Sequence, residues 1–147
     1  MFVQIVIGSG LLLLSILIAA TSAMVMEWVF AVATPWLLRE PHRPKLMLVL
    51  AGVSVWVLAI LTAGIWIWAL AFHALGAFVT LEEAVYFSLV SSTTLGFGDV
   101  LLPMEWRILS GMAAANGFLT FGLMTALMVE ALRHIRLGQH EARKKRR

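Results

Sequence analysis

The sequence predicts an all-α integral membrane protein: three transmembrane helices, with a short re-entrant half-helix between the second and the third. Three observations predict it. Apolar residues make up 61% of the chain and charged residues 13%, against about 45–50% and 25% in a soluble domain. Uncharged runs cover residues 2–26, 46–72 and 108–129, each longer than the roughly 20 residues a helix needs to cross about 30 Å of hydrocarbon. Residues 84–98 form a further uncharged run of 15, too short to cross and return, so it is expected to enter and leave the membrane by one face.

The three spans leave no stretch able to build a second core, which excludes a separate soluble ligand-binding domain. The chain has no cysteine, so no disulfide, thiolate metal site or cysteine nucleophile is available. His42, His73, His134 and His140 are scattered without metal-ligand spacing. Asp99 is the single aspartate, and no serine or threonine stands in a recognisable arrangement with a histidine and an acid. Enzymatic activity and a bound cofactor are therefore not expected.

Residues 1–38 are read as the first span, with Glu27 at its inner edge and 28–38 as a possible segment along the membrane surface. Thr21-Ser22-Ala23 loosely resembles a cleavage site, but a positive n-region is missing and the apolar run is too long for a signal peptide, so the span is expected to be retained. Pro35, Pro41 and Pro44 are expected to break the helix before the second span. Residues 39–45 are read as a loop carrying Arg39, Arg43 and Lys45. A basic tail at 134–147 follows the third span, and Arg133, Arg136 and the Arg143–Arg147 run lie at or beyond its end. The positive-inside rule places both segments in the cytoplasm and the N-terminus outside. The net charge of +3 thus reflects membrane topology and gives no reason to expect nucleic acid; the tail is read as a solvated topology anchor, to which binding of anionic lipid is a plausible addition. Trp28 and Trp36 are expected at the inner interface, Trp66, Trp68 and Trp106 at the outer one, and Trp56 packed within the span. Glu130 is expected to pair with Arg133 or His134 one turn away.

The outer segment between the second and third spans carries the most information. Thr80 followed by Glu83 forms a capping-box pattern, so a half-helix is expected over 81–92, with its negative dipole end directed into the membrane toward a cation. Thr93-Thr94-Leu95-Gly96-Phe97-Gly98-Asp99 follows it. Irregular backbone at membrane depth is tolerated where it lines an aqueous path. Glycines on either side of Phe97 reach positive φ at no steric cost and so let successive carbonyls aim the same way. With the Thr94 hydroxyl, this supplies oxygen ligands for a dehydrated monovalent cation.

At these residues the sequence resembles the pore module of the tetrameric potassium channels. A chance match to Thr-Thr-x-Gly-(Tyr or Phe)-Gly-Asp is on the order of 10⁻⁷ per start position at average residue usage. The resemblance covers residues 46–133, with an outer helix at 46–72, a pore helix at 81–92, a filter at 94–98 and an inner helix at 106–133; the first span is additional. It implies a homotetramer around a central pore, with potassium as permeant ligand held at Thr94, Leu95, Gly96 and Phe97, and Gly98 completing the filter. Leu95 and Phe97 stand where valine and tyrosine are commoner. Thr93, Asp99, Tyr86 and Phe87 match positions that support the filter, the two aromatics as a cuff. Gly117, Phe118, Phe121, Thr125 and Val129 match the inner-helix hinge, cavity and gate. Gly117 and Gly122 equally suit close helix packing, and Asn116 and Thr120, roughly opposite the Phe121 stripe, are read as structural. Val90 replaces a glutamate that some bacterial members pair with the aspartate. We therefore expect the Tyr86 hydroxyl to donate to the Asp99 carboxylate in its stead. The function implied is passive potassium conduction across a bacterial plasma membrane; the alternatives are a weakly selective cation channel and a non-conducting accessory subunit.

Overall fold

A computed structural model describes the chain path over residues 1–37 and 42–145, and side chains over 1–33, 45 and 47–133. Helix α1 spans Phe2–Leu37, α2 His42–Ala74, α3 Leu81–Ser92 and α4 Arg107–Lys145, with a single 3₁₀ turn at Met104–Trp106 leading into α4. Among the described residues there is no strand. Three helices are long and apolar enough to cross a membrane, over Phe2–Ala33, Met47–Ala74 and Met104–Arg133. The protein is thus an all-α integral membrane protein.

Several boundaries differ from the sequence expectation. One continuous helix runs through Glu27 and Trp28 to Leu37, with no separate surface segment after Met26. Pro35 lies inside this helix, where its missing amide removes only a bond of the last turn. Pro44 lies in the first turn of α2, where an unpaired amide is normal and proline is tolerated. The 39–45 loop thus shortens at its C-terminal end; Pro41 and Arg39 lie outside the described residues, as do the side chains of Trp36, Arg43 and Arg136–Arg147. At the other end α4 continues as helix into the basic tail as far as Lys145.

Two apolar clusters set the helix arrangement. At one end of the bundle, Trp68 and Phe72 of α2 meet Ala84 and Phe87 of α3 and Leu109 and Ala113 of α4, with Ile7 and Leu11 of α1 packed alongside. At the opposite end, Met26 and Phe30 of α1 meet Val53 and Trp56 of α2 and Met128 and Ala131 of α4. The start of α1 therefore lies beside the start of α4, and the two helices run parallel while α2 runs antiparallel to both. Trp68 is fully buried and stacks 5.8 Å from Phe72. It belongs to the core and does not mark the interface: on α2 it falls one turn before Phe72, on the face that meets α3.

A polar latch joins α1 to α4. Gln4 is 7% exposed, and its Oε1 accepts a hydrogen bond from the Ile108 amide at 3.0 Å. That amide belongs to the first turn of α4, where backbone donors lack intrahelical partners. Four residues on, Gly8 lets Met112 and Leu109 of α4 come close: a Cβ there would fall 3.1 Å from Leu109 and closer still to Met112. The additional span is thus docked on the third.

Candidate functional site

The half-helix α3 starts as its local sequence dictates. Thr80 is extended (φ −108°, ψ 147°), and its hydroxyl accepts from the Glu83 amide at 3.2 Å. Only this half of the capping box is found among the described residues. Glu82 and Glu83 add negative charge to the positive end of the helix dipole. Ala84, Phe87, Ser88, Val90, Ser91 and Ser92 are buried, and this face wedges α3 between α2 and α4.

At the other end, α3 stops through hydrogen bonds that turn the chain back on itself. The Thr93 amide donates to the Leu89 carbonyl (3.0 Å), the Thr94 amide to Ser91 (2.9 Å) and the Leu95 amide to Val90 (3.1 Å). The Thr93 hydroxyl donates to the Leu89 carbonyl at 2.8 Å and contacts that of Val90 at 3.2 Å. Thr93 thus ties off the helix end, while Thr94 is exposed.

From there the backbone alternates. Thr94, Gly96 and Gly98 have φ of 60°, 57° and 78°, and Leu95 and Phe97 between them do not share the positive sign. Alternation of sign turns successive peptide planes so that neighbouring carbonyls share a direction, which a uniform strand does not allow. The two glycines were legible as positive-φ positions. Thr94 was not: a β-branched residue there is a genuine outlier and costs about 1–3 kcal/mol unless its surroundings hold it. The adjacent bonds of the Thr94 and Leu95 amides to Ser91 and Val90 supply that hold. Leu95 and Phe97 flank Gly96 with 61% and 66% of their surface exposed, an apolar wall that the described residues leave uncovered.

Tyr86 projects from α3 to the far end of this segment. Its hydroxyl donates to Asp99 Oδ2 at 2.6 Å, the hydrogen bond expected from the sequence. The contact lowers the Asp99 pKa from its ordinary 3.8, helped by the Asp99 and Val100 amides and opposed by partial desolvation. The same contact raises the Tyr86 pKa above 10.0, so the phenol remains a donor. Val90 is buried and apolar and offers no carboxyl group. Phe87, the other aromatic of the pair, faces α2 and the loop before α3. It sits 5.4 Å from Phe72 and 5.2 Å from Phe78, inside the core of its own chain.

Because the Asp99 pKa is lowered, the charged contact is present above the ordinary carboxylate range and is lost as pH falls through the lowered value. Tyr86→Phe is expected to leave the protein folded while current decays several-fold faster during sustained opening, and Asp99→Asn is expected to match it. Acidifying the Asp99 side from pH 7 to 5 is expected to leave wild-type decay unchanged, and decay is expected to approach that of the variants only as pH falls well below the ordinary 3.8. Recordings of decay against pH check all three.

On α4, Phe118, Phe121, Thr125 and Val129 form an exposed stripe, whereas Ala113, Asn116, Met124 and Ala131 are buried against the other helices. The two faces point in different directions. The helix is continuous through Gly117, which is where α4 touches the end of α3. A Cβ at Gly117 would overlap the Ser92 carbonyl oxygen and lie 2.5 Å from its Cα. Gly117 thus lets α4 pack closely against the end of α3, while a Cβ at Gly122 meets nothing within 4 Å. Glu130 reaches Arg133 at 3.8 Å with both side chains about two-thirds exposed, a pair that contributes little.

Three features of the sequence reading did not signal these contacts: Gln4 as a cap for another helix, Thr94 at positive φ, and Gly117 as the seat of Ser92. Only the lone polar residue in an otherwise apolar first turn could have drawn notice to Gln4. No curated protein and no solved structure matches the chain. A family model described as ion channel matches residues 46–134, the stretch holding α3, the alternating segment and both flanking spans, and the chain belongs to this ion channel family.

Proposed function

We propose that the chain is the subunit of a homotetrameric potassium channel, with residues 94–98 as its selectivity filter. The alternating φ at Thr94, Gly96 and Gly98 is the observation that carries this reading. Carbonyls aimed one way replace the hydration shell of a monovalent cation, and the Thr94 hydroxyl adds an oxygen at the inner end. One chain supplies one wall of such a path, and the exposed Leu95 and Phe97 suit burial against neighbouring copies. The C-terminal end of α3 meets the segment at Thr93 and carries the negative end of the helix dipole, which favours a cation there. Ions then pass in file, each held well enough to enter and displaced by the next.

In this reading the N-terminus is outside and the basic end of α4 lies at an anionic cytoplasmic leaflet. The exposed stripe of α4 lines an inner cavity, with Val129 at an apolar constriction that closes by dewetting. On the native cysteine-free background, Phe121→Cys is expected to react with a cytoplasmic thiol reagent at least about tenfold faster in open than in closed channels. Equal rates place the gate elsewhere. Rubidium uptake by liposomes holding the purified chain alone tests the proposal: uptake blocked by excess potassium but not by sodium supports it. Absence of flux from well-folded protein supports an accessory subunit instead.

A further inference from the structure

We infer that Asn116 is a positioning residue for the filter, acting through one buried water between α4 and the end of α3; the inference rests on reading residues 94–98 as the filter. Helix α3 has four carbonyls in its last turn that lack intrahelical partners. Those of Leu89, Val90 and Ser91 are taken up by the amides of Thr93, Leu95 and Thr94. The Ser92 carbonyl is not among the acceptors found in the described residues. It lies against α4 at Gly117, next to Asn116.

Asn116 is 3% exposed. Its backbone carbonyl accepts from the Thr120 hydroxyl at 2.8 Å, but no hydrogen bond of its carboxamide is found among the described residues. A carboxamide that faces a small space inside the protein normally has a partner there, protein or ordered water. Beside it lies a small cavity of about 20 Å³, lined by Ser92, Asn116, Gly117, Thr120 and Phe121 on one side and by Leu61, Gly64 and Ile65 of α2 on the other. One water needs roughly 10–15 Å³ and two to four polar neighbours. The site offers three: the water accepts from the Asn116 amide N–H and donates to the Ser92 carbonyl and the Thr120 hydroxyl oxygen. It thereby satisfies both orphan groups and ties the inner helix to the residue two positions before Thr94. Tilting of α4 would strain this tie and loosen the base of the filter.

The test combines an electron cryomicroscopy map of the wild-type assembly in nanodiscs with bilayer recordings of Asn116→Leu and Asn116→Ser. The map is expected to show density about 3 Å from both the Asn116 side chain and the Ser92 carbonyl. Asn116→Leu, similar in volume but apolar, is expected to speed current decay about fivefold, the factor one ordinary hydrogen bond represents. Asn116→Ser, smaller but polar, is expected to stay within about twofold of wild type; a role in packing alone predicts the opposite order. A map that resolves other buried waters but leaves this cavity empty overturns the inference, as does decay in Asn116→Leu equal to wild type. Should Asn116→Leu fail to assemble, the wild-type map alone decides. Equal sodium and potassium permeability in wild type would defeat the potassium-selective reading of residues 94–98 while leaving the water observable.

Discussion

Gly96→Ala is expected to abolish conduction while leaving the helices folded. Gly96 holds φ at 57° with open space around it in the single chain, so the penalty is conformational and not a clash. An L-residue at that φ costs about 1–2 kcal/mol. In the proposed tetramer the four costs add to about 4–8 kcal/mol, which favours rotation of the peptide planes and breaks the alignment of carbonyls. Thr94 tolerates a similar φ because the neighbouring amides are tied to Ser91 and Val90; among the described residues Gly96 has no such ties. Single-channel recording beside circular dichroism checks both halves of this expectation. Normal current in the variant removes the filter assignment.

Gly117→Ala is expected to have the second largest effect, this time on stability. The new Cβ meets backbone at Ser92, not a flexible side-chain tip. Relief requires α4 and α3 to separate by about 1 Å, and overpacking of this kind typically costs about 1–3 kcal/mol per chain. The displaced atoms lead directly into Thr93 and Thr94, so current should fall along with the melting temperature. Gly52→Ala serves as the control, because a Cβ there meets nothing within 4 Å and alanine favours helix. Thermal melts of the two variants side by side check the difference. If Gly117→Ala melts with wild type, the close contact between α3 and α4 is not as described.

What was legible in the sequence follows the range of the physical signal. The bounds of α3 could be read because Thr80 and Glu83 act within one turn, and the span count because hydropathy sums over about 20 residues. The Tyr86 to Asp99 hydrogen bond could be anticipated because both ends lie within 13 residues in a segment whose path the motif constrains. Trp68 was misplaced because an indole suits an interface and a core equally well, and only the packing of α2 on α3 decides between them. Gln4 and Gly117 make contacts more than 20 residues away along the chain, where no local pattern reports the partner. The helical tail was missed for a different reason: its charges suggested a solvated segment, yet arginine, lysine, glutamine and alanine are all good helix formers.

The central claim is that residues 94–98 form a potassium-selective path when four copies assemble. The reversal potential of the purified wild-type chain in a planar bilayer, with potassium on one side and sodium on the other at equal concentration, tests it most directly. The account predicts a reversal potential displaced strongly toward the potassium equilibrium value, with rubidium replacing potassium at little change. A reversal potential near zero would contradict it and identify a channel that does not distinguish the two ions.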